Sequence, residues 1–277
     1  MKQKTRNRIV ALLVVAVFIG VILFWYFQIK KPHDVAAAEF HTAAATVIEK
    51  NKELDQAIAE LQVLLDTKEE PFDDTVLTNA RMAIAESDSA KVVIPELPKH
   101  TAEIISATDD LKQTIDYTAY IEQLKDAKQA LETSIQQLKQ LTNPSEAFIM
   151  ERLSTVDTVS ELQAVTEDND PNGNLNKPGG YTATVYFSSP LVNPQDVYGA
   201  SVIEKGTDGG GCVEAYASVA DAKKRDLYLS TFDGATAMNS GSHAVYGTLV
   251  IRTSSRLTAT LQKKTEQSVL DALLRVE

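Results

Sequence analysis

Residues 168–176 read Asp-Asn-Asp-Pro-Asn-Gly-Asn-Leu-Asn, the stretch of this sequence whose side chains come nearest to a metal-binding pattern. Oxygen-bearing side chains stand at positions 1, 3, 5 and 9, namely Asp168, Asp170, Asn172 and Asn176, with Asn174 between the last two and Gly173 at position 6. Carboxylate and amide oxygens wrapped round a glycine turn are what a hard cation such as calcium requires. Position 12 is Gly179 instead of the bidentate glutamate of an EF-hand, and a strand pattern follows where a helix would. The expectation is an abbreviated, weak calcium site with Asp168, Asp170, Asn172, Asn174 and Asn176 as ligands. The alternative is a metal-free turn, because Asn, Asp, Gly and Pro dominate loops for backbone reasons.

A second cluster is aromatic. Strand-like alternation places Tyr186, Tyr216 and Tyr246 on one sheet face with Thr184, Glu214 and Arg252. If open, that face would be an amphipathic patch suited to a protein or glycan ligand; the alternative is that it packs internally. The third candidate is the lone Cys212 with His243, and Asp208 nearby in sequence. A thiol nucleophile needs its imidazole within hydrogen-bond reach, and neither residue lies in a recognised protease or transpeptidase signature, so no catalytic residue is assigned. The run Gly206-Thr207-Asp208-Gly209-Gly210-Gly211 does not follow a strand and open a helix, and reads as a loop. His33, His41 and His100 lie apart and form no metal cluster.

The elements that must hold these residues come from the whole chain. Its 277 residues are 44% hydrophobic and 23% charged, a globular balance. One cysteine excludes an intramolecular disulfide and a cysteine zinc cluster. A net charge of -11 argues against nucleic acid as a partner, since such proteins need basic faces to displace counterions.

Between Arg8 and Lys30 no residue is charged: Ile9 to Ile29 runs IVALLVVAVFIGVILFWYFQI. About 20 apolar residues at about 1.5 Å rise each cross a hydrocarbon core of about 30 Å. Phe24, Trp25, Tyr26 and Phe27 cluster where amphipathic rings prefer the headgroups. Lys2, Lys4, Arg6 and Arg8 precede the run without an acid, so the positive-inside rule puts the N-terminus in the cytoplasm and the rest outside. A cleaved signal peptide ending at Ala36-Ala37-Ala38 is the alternative; the length of the apolar run and Lys30, Lys31 and Pro32 after it favour an uncleaved anchor. All 38 acids and 21 of the 27 bases lie after Lys31, a balance of -17.

Residues 32–143 read as a three-helix stalk. Phe40, Ala44, Val47, Asn51, Leu54, Ile58, Leu61 and Leu65 make a heptad seam in which Asn51 is the polar exception, either a register device or a weak point, and the seam allows an oligomer. Pro71 ends the first helix, Asp73 or Asp74 caps a second running to about Ala90, and Pro95 and Pro98 mark a linker. A third helix of about 60 Å is expected from Thr101 to Pro144, its apolar spacing slipping by one residue between Thr118 and Leu124. KELDQAIAELQVLLD and YIEQLKDAKQALETSIQQLKQL resemble the FIVAR-type three-helix modules of Gram-positive matrix-binding adhesins, which implies a surface spacer.

In residues 144–277 the period becomes alternating. Strands are expected at Thr182–Ser188, Cys212–Ala217 and Val245–Arg252, with a weaker one near Glu161–Thr166. Helices are expected from Val219 to about Phe232 and from Leu257 to Val276. The order implies α+β, an antiparallel or mixed sheet with helices on one face. VTEDNDPNGNLNKPGGYTATVYFSSPLV, VIEKGTDGGGCVEAYASVADAKKRDLYL and SGSH followed by GTLVIRTSSRLTA resemble a functionally uncharacterised extracellular module of Gram-positive bacteria, sometimes labelled Ebh-like, that stands behind a single membrane anchor. The resemblance implies location and architecture but no reaction.

The expectation is therefore a non-enzymatic, single-pass surface protein: residues 1–31 as cytoplasmic tail and anchor, 32–143 as stalk, and 144–277 as a displayed binding module. Two other classes remain open, an accessory subunit docked on a membrane complex and a Cys/His-dependent surface enzyme.

Overall fold

The structure is a computed structural model that describes residues 2–234 and 241–276, without the side chains of residues 2–5. The side chains of Lys2 and Lys4 in the basic flank, and Ser240 in the SGSH segment, lie outside the described residues. The chain divides into two units, Met1–Thr67 with Thr78–Lys128, and Lys68–Leu77 with Gln129–Glu277. A composition boundary at 143/144 differs from this division because Leu141 and Phe72 belong to the second unit's core.

In the first unit α1 (Lys2–Trp25) passes through a π-helical turn, Tyr26–Lys30, into α2 (Lys31–Asp66). The Lys31 N–H donates to the Tyr26 carbonyl five residues back, the bond that defines a π turn. This is the one helix among the described residues that is long and apolar enough to cross a membrane. Every residue from Arg6 to Pro32 is exposed. After Pro71 come α3 (Thr75–Ser89), α4 (Thr101–Leu111) and α5 (Thr118–Gln140), the start of α3 up to Leu77 and the part of α5 from Gln129 belonging to the second unit. Asp73 Oδ1 accepts from the Thr75 N–H at 2.9 Å, the cap expected at the start of α3.

The α2 seam is the buried face: Phe40, Ala44, Val47, Leu54 and Leu61 are all buried. Phe40, Ala44 and Val47 pack with Ile104 and Leu111 of α4. The third helix expected from Thr101 is broken at 112–117. There Asp116 Oδ1 caps Thr118 N–H at 2.9 Å, so a side chain that competes for backbone donors starts a new helix. The slipped apolar spacing does not mark this break: it falls later, between Thr118 and Leu124, in the first turns of α5. Tyr117 turns inward within it and joins Asn51. Asn51 Nδ2 donates to the Val92 carbonyl at 2.9 Å, Tyr117 Oη donates to Asn51 Oδ1 at 2.7 Å, and the Val92 N–H donates to Tyr117 Oη at 2.9 Å. The polar residue on the seam thus ties the Pro95 linker and the helix break to α2 within one chain.

The second unit contains α6 (Glu146–Leu153), β1 (Glu161–Ala164), β2 (Tyr181–Ser188), α7 (Val202–Lys205), β3 (Gly210–Tyr216), α8 (Val219–Ser230), β4 (His243–Tyr246), β5 (Leu249–Thr253) and α9 (Ala259–Leu274). All strand pairs are antiparallel, in the order β1-β2-β3-β5-β4. The stretch expected as one strand, Val245–Arg252, is a hairpin, because Gly247 takes φ 59° and turns the chain between β4 and β5.

The sheet carries helices on both faces, a correction to the expectation of one. On one face Val185, Phe187, Val213, Ala215, Leu249 and Ile251 pack with Ile149 and Leu153 of α6 and Val269 and Leu273 of α9. On the other, Tyr186, Cys212, Tyr216 and Val250 pack with Val202 and Ile203 of α7 and Ala222 and Leu229 of α8. Period-2 alternation with apolar or paired groups on both sides gives a central strand buried on both, as β3 is throughout. Phe187 stands directly across from Gly211 in the register, so its ring fills the space that glycine leaves bare.

Candidate functional site

The tyrosine face is not an open patch. Tyr186 and Tyr216 are buried, and Arg252 is 8% exposed, because α7 and α8 cover that side of the sheet. Tyr246 does not share the face at all. The hairpin at Gly247 puts it on the opposite side, where its hydroxyl donates to Glu266 of α9 at 2.8 Å and burial lifts its pKa to about 12. The expected binding face of Tyr186, Tyr216, Tyr246 and Arg252 is thus corrected to two packed surfaces.

The calcium candidates lie in the β1–β2 loop. Asp168, Asn172, Asn174 and Asn176 are exposed, while Asp170 turns inward. Its Oδ1 accepts from Asn172 N–H at 3.0 Å and from the Tyr181 hydroxyl, and its Oδ2 accepts from Leu175 N–H at 2.8 Å. Burial works to raise the Asp170 pKa, but the Tyr181 hydroxyl and the Leu175, Asn172 and Asn174 amides outweigh it and hold the carboxyl below its ordinary value. Gly173 takes φ 61°, the left-handed turn that lets these amides converge. A calcium ion would compete with all these donors for the Asp170 oxygens. No group of three or more His, Cys, Asp or Glu side chains able to hold a metal occurs among the described residues.

Cys212 and His243 are separated by Arg252, their common partner across the sheet: Cys212 pairs with Arg252 on β5, and Arg252 pairs with His243 on β4. Two strand spacings put them about 10 Å apart, too far for a thiol–imidazole bond. Burial pushes the thiol up to about 12. The imidazole is held by Asp226 at 2.6 Å through Nδ1 and Asp233 at 3.3 Å through Nε2. Asp208 is engaged elsewhere, with Arg256 at 3.0 Å.

What the fold does assemble is a cleft of about 650 Å³ where the β1–β2 loop and α8 meet the sheet. Asn172, Asn174, Gly179 and Gly180 form the loop wall, and Lys224 and Tyr228 of α8 the other, with Phe232 from the turn just after α8. Tyr181, Tyr216, Arg225 and Arg252 reach its base, the two tyrosine rings edge-to-face at 6.4 Å. Beneath them lies Glu214, fully buried. Arg225 grips it from α8 through Nε to Oε2 and Nη2 to Oε1, both at 2.9 Å. Arg252 Nη1 donates to Oε1 at 3.1 Å, and Tyr216 Oη to Oε2 at 2.8 Å. Burial alone would raise the Glu214 pKa; the Arg252 and Arg225 guanidiniums outweigh it and hold the carboxyl below its ordinary 4.5.

This cluster escaped the sequence reading, which put Glu214 and Arg252 on one sheet face with the tyrosines, open or packed, without pairing them and without naming Arg225. The available signal was a charged residue at the centre of VEAY: a glutamate there, in a strand flanked by helical segments, must find cationic partners if both faces are covered.

The fold and the cleft define an α+β unit of five antiparallel strands in a chain that opens with a long apolar helix. Comparison with family models, with curated proteins and with solved structures gave no match.

Proposed function

We propose that this chain is a single-pass membrane protein that holds its α+β unit outside the cytoplasmic membrane and uses the α8 cleft to bind a ligand without transforming it. One observation carries the anchoring: Ile9–Ile29 form a continuous apolar helix whose surface is wholly exposed, which in water would cost about 25 cal/mol for each Å² left wet. A bilayer removes that cost. Arg6 and Arg8 before the run favour the cytoplasmic N-terminus, and Trp25, Tyr26 and Phe27 at its far end suit the outer headgroup level, with Lys31 Nζ 5.8 Å from the Phe27 ring. The helices of the first unit then serve as a spacer, in line with the resemblance to surface modules.

The cleft supports binding over catalysis. The nucleophile candidate is buried beside Arg252 with its thiol protonated, and the His243 ring is occupied by two aspartates. Membrane fractionation tests the anchoring. The expected result is that the protein stays in the membrane pellet after alkaline carbonate extraction and that the mature chain retains residues 9–29. A soluble product beginning after Ala38 would overturn the reading.

A further inference from the structure

We propose that the α8 cleft binds its ligand through an oxyanion, a carboxylate or a phosphate, held on Arg252 and Arg225, with the apolar remainder of the ligand against Tyr228 and Phe232. This rests on the reading of the cleft as a binding site and names the ligand class. At the base of the cleft two guanidiniums face one carboxylate, Glu214, so one buried positive charge is left over. Arg252 has a side chain only 10% exposed, and its Nε has no hydrogen-bond partner. A buried guanidinium N–H left without an acceptor is costly, and although Nε itself is closed off, the Arg252 side chain lines the cleft, so its incompletely compensated charge faces it. Arg225 gives Nε and Nη2 to Glu214 and Arg252 gives Nη1, so the guanidinium N–H groups turned away from Glu214 are those an oxyanion would meet.

The surroundings favour the same class. Asp221 and Lys224 of α8 both line the cleft and offset each other in charge, and the Asp221 carboxylate is already bonded to the Ser218 hydroxyl at 2.6 Å. Asp170 is screened by its own loop donors and Tyr181. In a chain of net charge -11, a cationic base inside a low-dielectric cleft is a local exception that draws anions to one place. The edge-to-face pair Tyr228 and Phe232, 5.2 Å apart, supplies an apolar wall, with the Arg225 guanidinium 5.6 Å over the Tyr228 ring. An aromatic or otherwise flat acid fits both halves.

The test uses the full chain in detergent micelles, labelled with ¹⁵N-arginine and ¹³C-methyl leucine. Phenyl phosphate, benzoate and uncharged benzyl alcohol are titrated in turn at constant ionic strength. The expected result is a saturable shift of the Arg252 Nε–H signal with at least one of the two anions and not with benzyl alcohol; the tighter of the two anions identifies phosphate or carboxylate as the source. Arg252→Lys, which keeps the charge and removes Nε and the fork, is expected to weaken that binding about tenfold, with the leucine spectrum confirming the fold. An Arg252 signal unmoved by either anion in the folded wild-type chain overturns the proposal. Benzyl alcohol shifting the Leu229 methyls while the anions do nothing also overturns it, yet leaves the cleft as a binding site. Fractionation reads the anchoring independently of all of these.

Discussion

Glu214→Ala is expected to cost the α+β unit about 3–5 kcal/mol, because it strands two buried guanidiniums that now share one carboxylate. Losing the attraction is the smaller part of that cost; the larger part is leaving Arg225 and Arg252 desolvated without a counter-ion. Hydrogen exchange of the full chain in micelles reads the unit by itself: amides of β3 and β5 should exchange about 150- to 5,000-fold faster than in the wild type. Exchange within a few fold of the wild type would refute the account. Replacing all three charged residues with apolar ones of similar volume should restore most of the stability, as buried ion clusters are conditional on one another. The same pair fixes the acid response. The folded Glu214 pKa is depressed, so its contribution is fully present above the unfolded value and is lost as pH falls through the lower folded one. The wild-type unit should therefore weaken below about pH 4.5, Asp170 acting in the same direction, and Glu214→Gln should remove the Glu214 part of that slope.

Phe187→Ala carries the second large effect, about 3–5 kcal/mol, from a different cause. The ring is fully buried at the middle of β2, packed over Gly211 and among residues contributed by α6 and α9. Its removal opens a cavity that the opposite strand cannot close, since a Cβ at Gly211 would run into the Arg252 carbonyl as well as into the ring position. In near-ultraviolet circular dichroism of the full chain, the tyrosine-reported melting of this unit should fall by about 6–20 °C. A fall of under about 2 °C would mean that the sheet core is not packed as described.

How much of this was legible follows from what each signal depends on. The apolar run and the α2 seam were readable because they rest on local periodicity: of the eight residues the seam named, Phe40, Ala44, Val47, Leu54 and Leu61 are buried, and Asn51, Ile58 and Leu65 half-buried. The strands around Val185, Val213 and Ile251 were readable for the same reason. The break at 112–117 was missed, since the one-residue slip in apolar spacing falls later, between Thr118 and Leu124 inside α5, and what holds the break is the distant bond from Tyr117 to Asn51. The hairpin at Gly247 was missed because alternation continues through a tight turn, and one missed turn moved Tyr246 to the wrong face. The cleft depends on α8 folding back over the strand that precedes it, and no spacing reports that Arg225 will meet Glu214. The Asp168–Asn176 pattern shows the opposite difficulty: the residues that would ligate a cation are also those that build the turn, and Asp170 spends its oxygens on the loop.

The topology of the chain is tested most directly by labelling single introduced cysteines on intact expressing cells with a membrane-impermeant maleimide. Native Cys212 is buried and stays silent in the folded protein. Tyr198, 87% exposed in the α+β unit, and Arg6, ahead of the apolar helix, are the reporting positions. The account predicts that Tyr198→Cys is labelled on intact cells and Arg6→Cys only after lysis. Labelling of Arg6→Cys with protection of Tyr198→Cys, or protection of both until lysis, would contradict it.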